Sequence, residues 1–571
     1  MAAKRWFRGM PPIRLLAVWL VAVLATSAII AADTPAKPIG PAEEIIPDEL
    51  LDECLERGKS YAECGLSARR LLQGWIDNNY DAKTKLVFRE VRGRRLRWDY
   101  QDVAADYYSS LVHVANFVAP EYNQPGAKLH ETLLASKRLC TLPNGIPGVY
   151  YHDTGKVEGE ATYLALSEWL RDGLIRIVEN LGADNIWYEE LCRLSDAMIR
   201  VAHQRGGLYP QCSRSTEAMG NMLQSLSRLY VISGEKRYLE AAEEIGDALL
   251  LDPKIDTFRK MVERRDSFRD HGCEMIPGLA ELFVVECKLG SQRAASYREP
   301  LVKVLDQILQ TSAHPETGLF CGDLDKNGNT VWLQPPDTWG YVLFSYENFD
   351  RATGTDRYRK AVEKPIRWLL ENRKDFDECK KAKLWPQAAH RDTWSDSHES
   401  MIILANRLGV FDKQVFEWLD WMTLQSEHRK HVDEQYGPYL NAHDDGSTGR
   451  CLSTHMMACS RGVRHVPFQE GLRIGAMPFG DGLVLSLESE KPYQGKLRFD
   501  WPRGVYPTGT LDWARLNEMP AWFVVEPERK YIVTLNGTAE RTTSGKELID
   551  GVPMAVEPGA VRTVRVQPVE D

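Results

Sequence analysis

Seven polar helix starts recur along this chain at nearly the same interval, and that period limits what it can fold into more than any other feature. From about Leu50 to Arg461 apolar residues return every three or four positions, as in MGNMLQSLSRLYVI, YLEAAEEIGDALLL and YRKAVEKPIRWLLENR, which is the pattern of helices. The polar openings of the first helix in each unit fall at Asp102, Gly159, Arg214, Arg269, Pro336, Arg391 and Arg450, at intervals of 57, 55, 55, 67, 55 and 59 residues. The one long interval contains the insertion GLFCGDLDKNGNTVWLQPP. Matching turns, SGEKRY around Gly234 and TGTDRY around Gly354, lead from a first helix into a second. Two helices per period make an array of helical hairpins, whose apolar faces are buried only by stacking on neighbours. Six or seven such units can close into a ring with first helices inside and second helices outside. An open solenoid is the alternative.

The two ends of the chain read differently. Beyond Arg464 come short alternating or β-branched runs (LVLSLES, GKLRFDW, WFVVEP, KYIVTLNGT, RTVRVQP) separated by Pro, Gly and Asn-Gly, which predicts an antiparallel β module over 464–571. Asn536-Gly537-Thr538 fits a glycosylation sequon, but Asn-Gly is first of all a hairpin turn. At the other end Lys4, Arg5, Arg8 and Arg14 precede an apolar run from Leu15 to Leu24 and then small residues. This predicts a signal peptide over 1–32 and an exported protein, periplasmic or extracellular, with an uncleaved membrane anchor as the alternative. Residues 33–49 read as an extended linker and 50–463 as the hairpin domain. The net charge of −10 becomes about −14 without the four basic leader residues, which argues against nucleic acid or an anionic membrane as partner. The eleven Cys include no C-x-x-C pair, so a zinc ribbon or thioredoxin-type site is unsupported. Cys54 and Cys64 are close enough in sequence to predict a short disulfide loop after export.

The hairpin period, together with the Gly-aromatic loops GGLYP, TGLF and KLWPQ ahead of polar-aromatic helix starts, resembles the six-hairpin (α/α) toroid glycosidase superfamily over roughly residues 60–460. The resemblance implies a mainly α fold, an (α/α)6-type toroid of hairpins followed by a C-terminal antiparallel β-sandwich, and an enzyme acting on carbohydrate.

If first helices line a ring, the loops before them converge on one mouth and bring residues about 55 positions apart into one site. Glycoside cleavage needs two carboxyl groups flanking the scissile bond, one held protonated and one ionised. Asp392, Asp396 or Glu399 from RDTWSDSHES is expected to supply one, and Asp337, Asp270 or Glu217 the other. Trp339, Trp394 and Tyr209 are expected to form a stacking platform for sugar rings, with His398, His271, His455, Arg214 and Arg391 binding substrate. N-capping accounts for any single Asp ahead of a helix. It does not account for the density of SDSHES, which the parallel PDTWGY at 336–341 lacks. Arginines at four equivalent helix starts, where the helix dipole disfavours a cation, point to an acidic glycan bearing uronate or sulfate. A polysaccharide lyase using a Tyr or His base with an Arg to neutralise the uronate is the first alternative, and a non-catalytic glycan-binding protein the second. No cofactor is required by these chemistries; Asp323, Asp325 and Asn327 match the front of a calcium loop and mark a candidate structural Ca²⁺ site.

Overall fold

The computed structural model describes residues 46–89, 96–263, 267–269, 271–388, 391–424 and 442–570. The leader, the start of the linker and most of the basic run at 89–98 therefore lie outside the described residues. Seven inner helices occur among the described residues: 100–118, 163–181, Thr216–Ser233, Met275–Leu289, Tyr341–Thr353, Arg391–Leu408 and Ala442–Cys459. Each packs on the next and the seventh returns to the first. The fifth and sixth are joined by the Gly340 amide donating to Ser400 Oγ (3.2 Å) and Tyr341 OH donating to Glu399 (3.2 Å). The array is thus a closed ring of seven.

Composition decides which helix goes inside. Met275–Leu289 buries every residue from Met275 to Glu286, whereas Lys236–Leu250 buries a single stripe (Tyr238, Leu239, Ala242, Ile245, Leu249) and turns its charges outward. Glycines in the left-handed conformation, Gly234, Gly290 and Gly354, end the third, fourth and fifth inner helices and turn the chain outward. The third and fourth helices touch through glycine: a Cβ on Gly220 would meet the Glu274 carbonyl at 2.3 Å, and one on Gly278 the Gly220 oxygen at 2.8 Å. Among the described residues seven outer helices surround them, and the first of these, Asp48–Asn78, packs on the seventh inner helix. The beginning of the described chain therefore closes the ring against its last hairpin.

Residues 464–568 form two larger antiparallel sheets and a two-stranded hairpin, Val505–Tyr506 with Gly509–Thr510. Five strands run in the order Ala539–Ser544, Lys530–Leu535, Val561–Pro568, Gly482–Glu488, Arg473–Phe479, and three in the order Val552–Val556, Tyr493–Arg498, Arg464–Val466. Asn536-Gly537 sits in the hairpin between the first two, both residues at positive φ. Strand Arg473–Phe479 lies against Asp48–Asn78 at a glycine contact, where a Cβ on Gly475 would come within 1.7 Å of the Cys54 carbonyl. Pro47–Asp571 is one compact unit.

The disulfide expected between Cys54 and Cys64 is corrected. Both are buried, unpaired thiols on one helix, and ten residues of helix separate them by about 15 Å, far beyond disulfide reach. All eleven cysteines are free thiols.

The β module also sends one segment, Leu511–Met519, into the ring axis. Trp513 and Ala514 are fully buried there, and Trp513 Nε1 donates to Glu281 of the fourth helix (3.0 Å). The Asn348 side chain of the fifth helix holds both the amide (2.9 Å) and the carbonyl (2.8 Å) of Ala514. Trp513→Ala is expected to cost about 3–5 kcal/mol of stability, read as a lower denaturant midpoint. Trp332→Ala, at a residue 40% exposed, is expected to change the midpoint little.

Candidate active site

The inner helices open at one end of the ring, and a cavity of about 380 Å³ lies there. Two of the helices that line it are wound in an unusual way. The first begins with a π-helical stretch, Tyr100–Tyr108, started by Asp99, whose carboxylate accepts from the Val103 amide and whose carbonyl accepts from Ala104. The second contains another, Trp169–Ile175. Gly173 is required in it, because a Cβ there would stand 2.1 Å from the Trp169 ring. π-turns re-aim side chains relative to an α-helix and are frequent at functional sites. Here they bring Gln101, Asp102 and Asp106 from the first helix, and Arg171 and Asp172 from the second, to the cavity wall.

Glu168, just ahead of the second π-stretch, is 6% exposed and accepts from Gln101 Nε2 (3.1 Å). Burial, then the neighbouring Glu217 carboxyl, hold its pKa well above the carboxylate range. Glu217, in the first turn of the third helix, is raised as well, chiefly by burial. Two buried carboxyls in contact share protons, because ionising both is costly. His271 stands beside them with φ of +65°, in the left-handed region, and its Nδ1 pairs with Glu274 (2.7 Å). Burial opposes its charge, but Glu274, Glu217 and Asp396 outweigh that and keep it protonated well above the usual range. Arg171 is clamped between Asp172 (2.9 Å) and Glu274 (2.8 Å).

The facing wall comes from the sixth and seventh helices. Asp396 accepts from Arg450 (2.6 Å), which also meets Glu399 (3.1 Å) and donates to Asn517 Oδ1 (2.8 Å). Counted around seven helices, the second and sixth lie across the axis from each other, which puts Glu168 and Asp396 on different walls of the cavity. Asn517 belongs to the axial segment and has φ of +60°. Its backbone amide donates to Glu399 and its side-chain amide to Asp172. From that segment Asn517 lines the cavity.

Of the residues expected from sequence, Asp396, Asp337, Glu217 and His271 line this cavity. Asp270 and the side chains of Arg391 and Asp392 lie outside the described residues. The RDTWSDSHES segment is not a loop ahead of a helix: it forms the first turns of Arg391–Leu408, so positions 392, 396 and 399 fall on one helical face. Glu399 lies beneath the cavity, tied to Tyr341, Arg450 and Asn517. Arg450 is in mid-helix, not at a helix start.

Several other expectations are corrected. Trp339 is 1% exposed in the core, and Trp394 packs on Phe376 and Trp421 away from the cavity, so neither offers a face to a sugar. Tyr209 is half-buried on a short helix whose amides bind Glu244, and Arg214 is exposed in the turn before the third helix; neither lines the cavity. His455 stacks on Phe416 and meets Asp420 (3.4 Å) on the outer side of its helix. His398 is buried behind the wall beside His455. Arg269 pairs with Asp323 (3.3 Å), which also accepts from Ser267 N (2.5 Å), and Asp325 accepts from the amides of Asn327 (2.8 Å) and Asn329 (2.9 Å). These carboxylates thus organise a turn, and no group of three metal-ligating side chains occurs among the described residues.

Sequence reasoning missed Glu168, Arg171, Asp172, Arg176, Tyr341 and Asn517, all in the cavity wall. The available signal was SEWLRDGLIRIVEN, where five charges interrupt an otherwise apolar inner helix.

No protein-family model matches the chain, and no curated protein matches it. Among solved structures it is similar to an inactive variant of the α-1,6-mannanase GH76A of Salegentibacter sp. HEL1_6 in complex with α-1,6-mannotetrose (13% identity, 56% of this chain and 96% of that one, TM-score 0.38). It is also similar to cellobiose 2-epimerase from Bacillus thermoamylovorans (8% identity, 61% and 97%, TM-score 0.41). A third is a GH127 β-L-arabinofuranosidase from Geobacillus stearothermophilus T6 (11% identity, 77% and 68%, TM-score 0.31). The assignment of a hairpin ring rests on the chain's own helix order and contacts.

The raised Glu168 pKa has a signature in stability. A carboxyl that holds its proton more tightly when folded contributes fully below its unfolded value, near 4.5, and that contribution is lost as pH rises through this value towards the raised native one. Urea midpoints of the parent are expected to fall between about pH 5 and about pH 8 more steeply than those of Glu168→Gln, which cannot ionise. Parallel curves would place Glu168 in an ordinary solvated setting.

Proposed function

We propose that this protein is a glycoside hydrolase in which Glu168 is the general acid and Asp396 the facing carboxylate. The observation that supports this most directly is the buried Glu168–Glu217 pair, one carboxyl kept protonated by burial and by its neighbour, across the ring from an Asp partnered by Arg450. Glycosidic cleavage needs that division of labour: a proton delivered to the leaving oxygen and an ionised carboxylate on the other face of the sugar. The cavity is within the range of about 300–1,000 Å³ typical of small-molecule sites. Its carboxyl, guanidinium and amide lining suits the hydroxyls of a sugar. The basic and apolar residues at 4–24 support export of the enzyme.

Elimination fits less well. A lyase needs a base, but burial and then the Asp396 and Glu399 carboxylates push the Tyr341 phenol far up, and His271 is held protonated. The other bases expected from sequence, Tyr209, His398 and His455, are outside the cavity lining.

The leaving group provides the test. On aryl glycosides with poor leaving groups, Glu168→Gln is expected to lower kcat by about 10²–10⁴. On dinitrophenyl glycosides, which need no proton, the loss is expected to be under about tenfold. Equal losses on both would remove Glu168 from the acid role, and no turnover of any glycoside by the parent would sink the hydrolase reading. Because Glu217 raises the Glu168 pKa, Glu217→Gln is expected to move the alkaline limb of the pH–rate profile to lower pH.

A further inference from the structure

Three guanidiniums line the cavity, and two of them are matched with carboxylates: Arg171 with Asp172 and Glu274, Arg450 with Asp396 and Glu399. Arg176 differs. It is 4% exposed and forms no ion pair among the described residues. Its Nη2 donates to Ser109 Oγ (2.7 Å) and Ser110 Oγ (2.8 Å), and its Nη1 reaches Asn517 Oδ1 only at 3.5 Å. Its Nε has no partner. The serine hydroxyl protons are already spent, that of Ser109 on the Ala105 carbonyl and that of Ser110 on the Asp106 carbonyl. The serines can therefore only accept from Arg176 and fix its orientation.

A buried cation without a counter-charge is costly. The cost shows in the Arg176 pKa, lowered to about 10 by burial and by the adjacent Arg450. The cavity acids relieve it only in part: Asp172, Glu399 and Asp106 favour the charge, but burial and Arg450 outweigh them. Asp102 is engaged by Arg89 (3.1 Å) and Arg97 (3.2 Å), Asp172 by Arg171 and Asn517, and Asp396 by Arg450. The donors left over on Arg176 are Nε and most of Nη1, in a side chain that lines the cavity together with Asn517.

We infer that Arg176 is an anion subsite and that the sugar bound between Glu168 and Asp396 carries an anionic substituent, a carboxylate or a sulfate, at the end directed towards Asn517. Guanidinium donors match the geometry of either oxyanion. An incoming anion would supply, in direct contact, the counter-charge that Asp172, Glu399 and Asp106 supply only from a distance. This rests on the cavity being a glycan site, but not on its turning the glycan over.

Calorimetric titration of the full chain tests it without requiring turnover. The probes are glucuronate, galacturonate and mannuronate, the matching neutral hexoses, and the 6-sulfated hexoses. At least one anionic sugar is expected to bind about tenfold or more tightly than its neutral counterpart, with the uronate and sulfate arms deciding which anion the site takes. Arg176→Met is expected to abolish that preference. Arg176→Lys, which keeps the charge but not the fork, is expected to retain part of it and guards against a misfolded Met variant. Equal binding of anionic and neutral sugars by the parent overturns the inference, as does an unchanged preference in a folded Arg176→Met. A parent that prefers the anionic sugar yet hydrolyses no uronide or sulfated glycoside keeps the inference and removes the hydrolase reading instead.

Discussion

The ring depends on the charged and polar contacts that hold Leu511–Met519 along its axis. Arg228 of the third helix donates to the Leu516 carbonyl (3.0 Å) and pairs with Glu281 of the fourth (2.6 Å). Arg515 pairs with Glu179 of the second (2.8 Å), and Arg407 of the sixth with Glu518. Asn348 and Arg450 add the fifth and seventh helices. Buried ion pairs such as these add little net stability over an apolar core. Breaking one by removing a single partner nevertheless costs about 3–5 kcal/mol, because the survivor is left uncompensated. They therefore act mainly on register. A helix that slid by one turn would strand a charge in the core, so the axial segment fixes the height of six of the seven inner helices, the second to the seventh.

That fixed height is what lets seven helices tune one cavity. The same residue type acquires different properties by position: Glu168, beside another carboxyl and away from guanidinium, keeps its proton, whereas Glu274 is held by Arg171 and His271. Asn517 links the two levels of the structure. Its backbone and side chain engage Glu399, Asp172 and Arg450 together, so the orientation of both cavity walls depends on a residue of the β module.

The hairpin ring was legible in the sequence because a period near 55 with two helices per unit has few physical solutions, and the Gly234 and Gly354 turns end inner helices as read. The candidate site was legible only in part. RDTWSDSHES holds Asp396, but the polar residues suggested a loop, and their helical spacing went unused. Trp339 and Trp394 looked like a sugar platform, yet indoles on densely packed helices are more valuable buried, where they remove large apolar area from water. The π-wound stretches leave no mark in hydrophobic periodicity, so the reading was anchored at helix starts and passed over Glu168 and Asp172, deeper along the second helix. Asn517 reaches Glu399 across 118 residues of sequence and Asp172 across 345. No local pattern encodes such a contact.

The axial segment comes late in the chain, at 511–519 of 571 residues. Synthesis runs from the N-terminus, so all seven inner helices are made before this segment. Until then the ring has an open bore, Asp172 and Arg450 lack their shared amide, and Arg228 and Glu281 have no Leu516 or Trp513 to pack against. Completion of the cavity thus waits on the β module: a chain interrupted or clipped after the last hairpin possesses every acidic group of the cavity but lacks Asn517, which joins Asp172 to Glu399.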